Sequence, residues 1–247
     1  MVAHRERSLR IGRKRPFATV PYLDDVFDAT SSADVERDPT ESARGRRMSR
    51  RVEPDWLPER KRLFLQPSLI LIMGVAGSGK TTLAREILRH IWAVYLDNNH
   101  IVDAFFPHTR TSHAYEKMRP NFYKALYTIT EENLKLGMSV LLDVPHIKEV
   151  QTNEWRNFIK RLVRRTKAKL VAIRCLCSEK TLYSRLHSRG EQRDQWKLKH
   201  WDEFLRKQPV NVPIPFRHLD INTGKRPLQN IDAAIRHILS QVKQPHG

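Results

Sequence analysis

Residues 69 to 88 read LILIMGVAGSGKTTLAREIL, and this stretch constrains the chain more than any other. Five apolar residues enter a turn with glycines at 74, 77 and 79, and the chain leaves the turn with helical periodicity. Within it, Gly74 to Thr81 satisfies G-x-x-x-x-G-K-[ST] in the required setting, after a strand and opening a helix. Glycines let the backbone curl so that successive N–H groups face one point, and the helix N-terminus adds its positive end. Such a junction holds the phosphates of a nucleoside triphosphate. Gly74, Ala76, Gly77, Ser78, Gly79, Lys80, Thr81 and Thr82 are therefore the expected ATP-binding residues. Lys80 bridges the outer phosphates as a catalytic group, and the Thr81 hydroxyl is a candidate Mg2+ ligand.

A strand feeding a helix in this way belongs to an α/β fold, and the rest of the chain repeats the theme. Short apolar runs recur at LILIM, AVYL, SVLLD, KLVAIRC and HLDI, with longer helical stretches between them. The pattern predicts a P-loop NTPase fold: a five-stranded parallel sheet with helices on both faces. In PNFYKALYTITEENLKLG, Pro120 is expected in a first turn, with Phe122, Leu126, Ile129 and Asn133 on one stripe. TNEWRNFIKRLVRR sets Trp155, Phe158, Ile159 and Leu162 on one face. SEKTLYSRLHSRG opens on Ser178 as a cap and closes on Gly190. Ligands of such sheets sit beyond the carboxyl ends of the strands.

The 247 residues carry 45 Lys and Arg against 27 Asp and Glu. Residues 1–62 hold 15 basic and 11 acidic residues, few apolar clusters and runs such as RGRRMSRR, and are expected to be a basic, largely disordered extension. Trp56, Leu57, Phe64 and Leu65 are candidate anchors of that extension. Residues 63–247 form the expected folded domain. It carries 30 of the basic and 16 of the acidic residues, so the excess of positive charge lies mainly here. That balance points to anionic ligands, and leaves nucleic acid open as a partner. Cys175 and Cys177 alternate on one strand, poor geometry for a disulfide and too few ligands for structural zinc. No apolar run reaches the ~18 residues of a membrane span. No secretory h-region opens the chain, and its arginine-rich start, with Glu6 the first acidic residue, leaves a transit peptide open; the default expectation is the cytoplasm, with no membrane partner.

Binding a nucleotide leaves its use open. A GTPase needs a guanine-reading N-K-x-D, which does not follow. A motor ATPase carries Asp-Glu after a later strand, whereas this chain has Asp143-Val144. What remains is phosphotransfer, with a second substrate in place of water. Asp143 ends an apolar strand and is expected to hold Mg2+ with Thr81. Asp97, ending VYLD, is expected to face the γ-phosphate and serve as base or as a Mg2+ ligand through water, with His100 as the weaker candidate, and Pro145 and His146 to continue into the substrate side.

The runs MGVAGSGKTTLA, VYLDNNHI, NLKLGMSVLLDVPH and RLHSRGEQRDQWKLKHWDEF together resemble the small P-loop kinases of the zeta-toxin and gluconate-kinase-like group, over about residues 68 to 240. The resemblance implies an ATP- and Mg2+-dependent kinase acting on a hydroxyl of a small molecule. In similar kinases the second strand ends D-x-D and the second aspartate is the base; here the pair is Asp97 and Asn99. An amide can orient a substrate but cannot take a proton. The resemblance also implies a helical lid. Arg185, Arg189 and Arg193 recur every four residues, and Arg189 and Arg193, bracketing Gly190, would neutralise charge in the transition state. It places the acceptor near Arg110, His113, Arg119 and Tyr123, and an adenine loop near Asn222 and Thr223. Two other readings stay open: a kinase of nucleic-acid ends, suited to the basic surface, and a low-turnover ATP-binding regulator, suited to Asn99.

Overall fold

The computed structural model describes residues 64–225 and 227–242, all within one unit, Ser49–Gly247. The expected extension, residues 1–62 with Trp56 and Leu57, lies outside the described residues. Of the expected anchors that are described, Phe64 packs against the main core and Leu65 is exposed.

Five strands form one parallel sheet: β1 (Ser68–Met73), β2 (Val94–Asp97), β3 (Val140–Asp143), β4 (Lys169–Leu176) and β5 (Leu219–Asn222), in the order β2-β3-β1-β4-β5. Every residue of β1 is buried, as a central strand covered on both faces requires. Alternate side chains divide between the faces. Ile70 and Ile72 join α1 (Lys80–Ile87) and the helix Pro227–Gln241 in the main core through Leu83, Ile87, Ala234 and Ile238. The opposite face is covered by α3 (His113–Lys135), which contacts β1, β2 and β3. Each of these fully buried Leu or Ile side chains contributes roughly 1.5–3 kcal/mol. Among the described residues no helix is long and apolar enough to cross a membrane.

The expected strands all form, and so do several helix boundaries. Helix α4 (Asn153–Arg165) buries Trp155, Phe158, Ile159 and Leu162 as its periodicity requires, with Thr152 accepting from the Trp155 amide. Helix α5 (Glu179–Arg189) opens on Ser178, which accepts from the Thr181 amide, and closes on Gly190 at φ 66°. Cys175 and Cys177 are buried free thiols, and burial pushes the Cys175 thiol up to about 12.

Helix α3 corrects the sequence reading. It begins at a Ser112 cap rather than at Pro120, which lies inside the helix. A proline there deletes one backbone bond, and the helix continues because its N-terminal turns are held by the cap and by buried Tyr115. The buried stripe is also shifted: Phe122 and Leu126 are inside, but Ile129 is exposed, and Thr130 and Leu134 complete the stripe. Thr130 is satisfied by the Leu126 carbonyl, at 2.8 Å.

These positions predict opposite outcomes for two truncations. Trp155→Ala should destabilise the domain by about 3–5 kcal/mol through cavity formation, whereas Ile129→Ala should stay within about 0.5 kcal/mol of the parent. Urea denaturation of both variants checks the assignment.

Candidate active site

The glycine-rich turn lies where the sheet ends. Gly74 has φ 137°, and a Cβ there would fall 2.6 Å from both the Cys175 carbonyl oxygen and Ser78 Oγ, so a side chain cannot be accommodated. Gly79, at φ 87°, sits in the left-handed region and caps α1. Neighbouring segments clamp the turn from outside. The Gly74 amide donates to the Pro145 carbonyl at 3.1 Å, and Thr223 Oγ1 donates to the Ser78 carbonyl at 2.7 Å. Arg185 donates to the Gly77 carbonyl at 3.3 Å and to Thr223 Oγ1 at 2.9 Å. Lys80, nearly buried, donates to the Val75 carbonyl at 3.0 Å, folding its ammonium back over the loop.

At the inner end of the loop, Thr81 Oγ1 donates to Asp143 Oδ2 at 2.6 Å. Asp143 and Asp97 face each other in the β2–β3 register. The Tyr95 hydroxyl lies 3.3 Å from Asp143 Oδ2 and 3.4 Å from Asp97 Oδ2. Asp143 Oδ1 is buried without a partner. Burial raises the Asp143 pKa above the usual carboxylate range despite the nearby Lys80 charge. A desolvated carboxylate with an orphaned oxygen, beside a hydroxyl and a second carboxylate, fits a divalent cation. Among the described residues no cluster of three or more His, Cys, Asp or Glu forms a closed cage. The arrangement suits a cation that keeps waters and takes phosphate oxygens, as Mg2+ does.

One cavity of about 690 Å³ joins this end to a second, strongly polar wall. On that wall Arg189 is held by Asp194, its Nε donating at 2.9 Å. Asp194, fully buried, also pairs with Lys197. Burial opposes ionisation of Asp194, but Lys197 and Arg189 outweigh it and hold its pKa low. Burial likewise lowers the pKa of Lys197, against the pull of Asp194. Arg193, from the 3₁₀ turn Gln192–Asp194, pairs with Asp103 of α2 (Asn98–Phe105). Arg110 pairs with the other oxygen of Asp103 and donates to Asn99 Oδ1 at 2.9 Å. Burial works against the Asp103 charge, and the two arginines overcome it.

Most of the expected site is brought together. Lys80, Thr81, Asp143, Asn99, Arg110, Arg189 and Arg193 border the cavity with Ala76, Gly77, Gly79 and Thr82. Gly74 and Ser78 shape the loop from behind. Three expectations fail in position. Asp97 does not stand on the cavity wall: it is buried and caps α2, its Oδ1 accepting from the Asn99 amide at 2.8 Å. An extended residue with a short carboxylate, ending a strand just before a helix, satisfies that free amide first. Arg119 is tied to Glu149 and packed over the Tyr123 ring, away from the cavity. His146 is buried at φ 50°, with Nε2 2.7 Å from the Tyr127 hydroxyl, which accepts from Trp155 Nε1 at 2.9 Å. It shapes the turn after β3 instead of meeting a substrate. Of the two suggested adenine contacts, Thr223 supports the loop, and Asn222 Oδ1 accepts from the Gly224 amide.

Five functional groups escaped the sequence reading: Tyr95, Asn98, Asp103, Asp194 and Lys197. Asp194 and Lys197 stand at i,i+3 beside the lid arginines, a spacing visible in the sequence. Tyr95 alternates with Asp97 on one strand face, which was equally visible. Asp103 had no local signal, because its partners come from other elements, and Asn98 had none, because only the fold brings it to the cavity.

A family model described as an AAA domain matches residues 69–209. No curated protein matches the sequence. Among solved structures, a Chloroflexus aurantiacus protein provisionally named a kinase is 18% identical, covering 72% of this chain and 100% of its own, with a TM-score of 0.55. A sugar kinase from Janibacter is 16% identical over 70% of this chain and 94% of its own, with a TM-score of 0.52. Kti12 of Chaetomium thermophilum, solved with ADP-AlF3, is 16% identical over 71% of this chain and 100% of its own, also at 0.52. These likenesses show a shared fold.

The buried histidine predicts a stability profile. Burial holds the His146 pKa down at about 4, against an ordinary 6.5. The unfolded chain therefore binds a proton that the folded chain refuses, and stability is lost as pH falls from 6.5 towards 4. Between pH 7 and pH 5 this group should cost about 2 kcal/mol. His146→Gln should flatten that part of the curve, as urea titrations at the two pH values would show.

Proposed function

The chain belongs to the AAA-domain family that matches residues 69–209, and from that premise we propose that it is an ATP-dependent phosphotransferase moving the γ-phosphate to a hydroxyl of a small molecule. The observation that carries the reading is the continuity of the cavity. A phosphate-holding loop at one end opens directly onto a second wall of amides and arginines formed by Asn98, Asn99, Arg110 and Arg193. A simple hydrolase has no use for that second wall. The residue after Asp143 is buried Val144, so no carboxylate follows Asp143 to activate water. The resemblance of its motifs supports a place near the zeta-toxin and gluconate-kinase-like group within this fold.

The roles follow from position. Backbone amides of the loop and Lys80 bind the β- and γ-phosphates. Thr81 and Asp143 would hold Mg2+, with Asp97 behind them and Tyr95 orienting both carboxylates. The metal, when bound, neutralises charge on the phosphate oxygens and aligns them for transfer. Arg189, fixed by Asp194, faces the charge that develops as the bond to ADP breaks. Asn98 and Asn99 position the acceptor hydroxyl. Asp97 is committed to the cap, so orientation rather than a carboxylate base on that wall drives the step. The loose transition state of phosphoryl transfer tolerates this arrangement.

Two variants test these roles. Arg189→Ala should lower kcat by about 10²-fold with little change in ATP affinity, and an unchanged kcat would return the lid to an ordinary basic surface. Asp97→Asn keeps a capping oxygen and should retain γ-phosphate transfer within about tenfold of the parent; a loss of about 10²–10⁴-fold would restore Asp97 as general base.

A further inference from the structure

The second wall of the cavity has a chemical signature of its own. Asn98 is 95% buried and borders the cavity, and its Oδ1 has no partner. A buried, unpaired amide oxygen calls for a donor, such as a hydroxyl. Beside it, Arg110 borders the same space with a buried Nε that also lacks a partner. Its two terminal nitrogens are fixed, NH1 on Asn99 and NH2 on Asp103, so the guanidinium plane is set by two residues one turn apart on α2. Asp103 holds Arg193 through its other oxygen. A guanidinium oriented in this way, with a donor to spare, suits the oxygens of a phosphate or carboxylate. An acceptor hydroxyl alone does not need it.

Resting on the phosphotransferase reading, we propose that the acceptor is an alcohol that also carries an anionic group, a phosphate ester or a carboxylate. Arg110, with Arg193 beside it, reads the anion, and Asn98 Oδ1 accepts from the hydroxyl. In the transfer, the acceptor oxygen forms a bond to the γ-phosphorus and the bond from that phosphorus to the β,γ-bridging oxygen breaks. ADP leaves with the electron pair, and the hydroxyl proton passes to solvent. The anionic group takes no part in the bond changes; it fixes where the hydroxyl stands. Asp103 is a positioning residue, holding both arginines towards the cavity.

Two measurements on the full chain test this. With the loop filled by magnesium and a non-hydrolysable ATP analogue, inorganic phosphate and acetate are titrated separately into the parent, Arg110→Gln and Arg110→Lys. At least one anion should bind the parent about tenfold or more tighter than Arg110→Gln, and the tighter one identifies the group. Arg110→Lys, which keeps the charge but loses the fork, should fall between. In parallel, transfer from γ-labelled ATP is followed to matched acceptors: glycerol, glycerol 3-phosphate and glycerate, and ribose, ribose 5-phosphate and ribonate. A preference for charged members that disappears in Arg110→Gln supports the proposal. Anion binding that is absent from the parent or indifferent to Arg110 overturns it, as does equal use of the neutral members. Arginine-dependent anion binding with no labelled acceptor would keep the anion site while removing the phosphotransferase reading.

Discussion

A backbone that turns its N–H groups inward around a phosphate must be held from outside, because its own residues are too small to hold it. Everything else in this structure depends on that clamp. The loop from Gly74 to Gly79 is tied to the end of β3 through the Pro145 carbonyl, to the segment after β5 through Thr223, and to α5 through Arg185. Three elements separated in sequence by up to 145 residues therefore meet on one turn. The parallel sheet makes this possible by bringing all its carboxyl ends to one edge, where Asp97, Asp143 and the loop are neighbours. Arg185 illustrates the consequence. By spacing it belongs with the lid arginines, but its guanidinium is spent on the loop and on Thr223, so it positions instead of reacting.

The basic wall obeys a related constraint. Arginines crowded at one cavity repel each other and wander unless carboxylates fix them, and here two carboxylates do so. Asp194 serves Arg189 and Lys197, while Asp103 serves Arg110 and Arg193. The first pairing ties the end of α5 to the segment after it; the second joins that segment to α2 and to the loop before α3. Burial makes these pairs costly to break from one side, since removing one partner strands the other charge. A shared carboxylate, Asp103, therefore links Arg193 after α5 to Arg110 before α3.

The strands, the loop and the caps were legible because each is written locally. Apolar runs, Ser178 before a helical period and Gly190 after it all act on their immediate neighbours. What was not legible depends on distant partners. The stripe of α3 includes buried Glu131, which is satisfied by Arg165 at 2.9 Å from the following helix, so hydrophobicity alone misplaced the face. Arg119 looked available for a substrate until Glu149, 30 residues on, claimed it. Arg174 lies within the buried stretch of β4 and pairs across to Asp220 through two bonds of 2.6 Å. In a chain with so many cations, sequence shows where positive charge is plentiful, while the fold decides which charges are already spent.

The central claim is that the loop and the Thr81–Asp143 pair together hold a triphosphate with its cation. The most direct measurement is calorimetric binding of ATP with and without Mg2+, in the parent and in Asp143→Asn. The account predicts that Mg2+ tightens ATP binding by about tenfold or more in the parent and has little effect in the variant. Absence of ATP binding, or an affinity indifferent to Mg2+ in the parent, would contradict it.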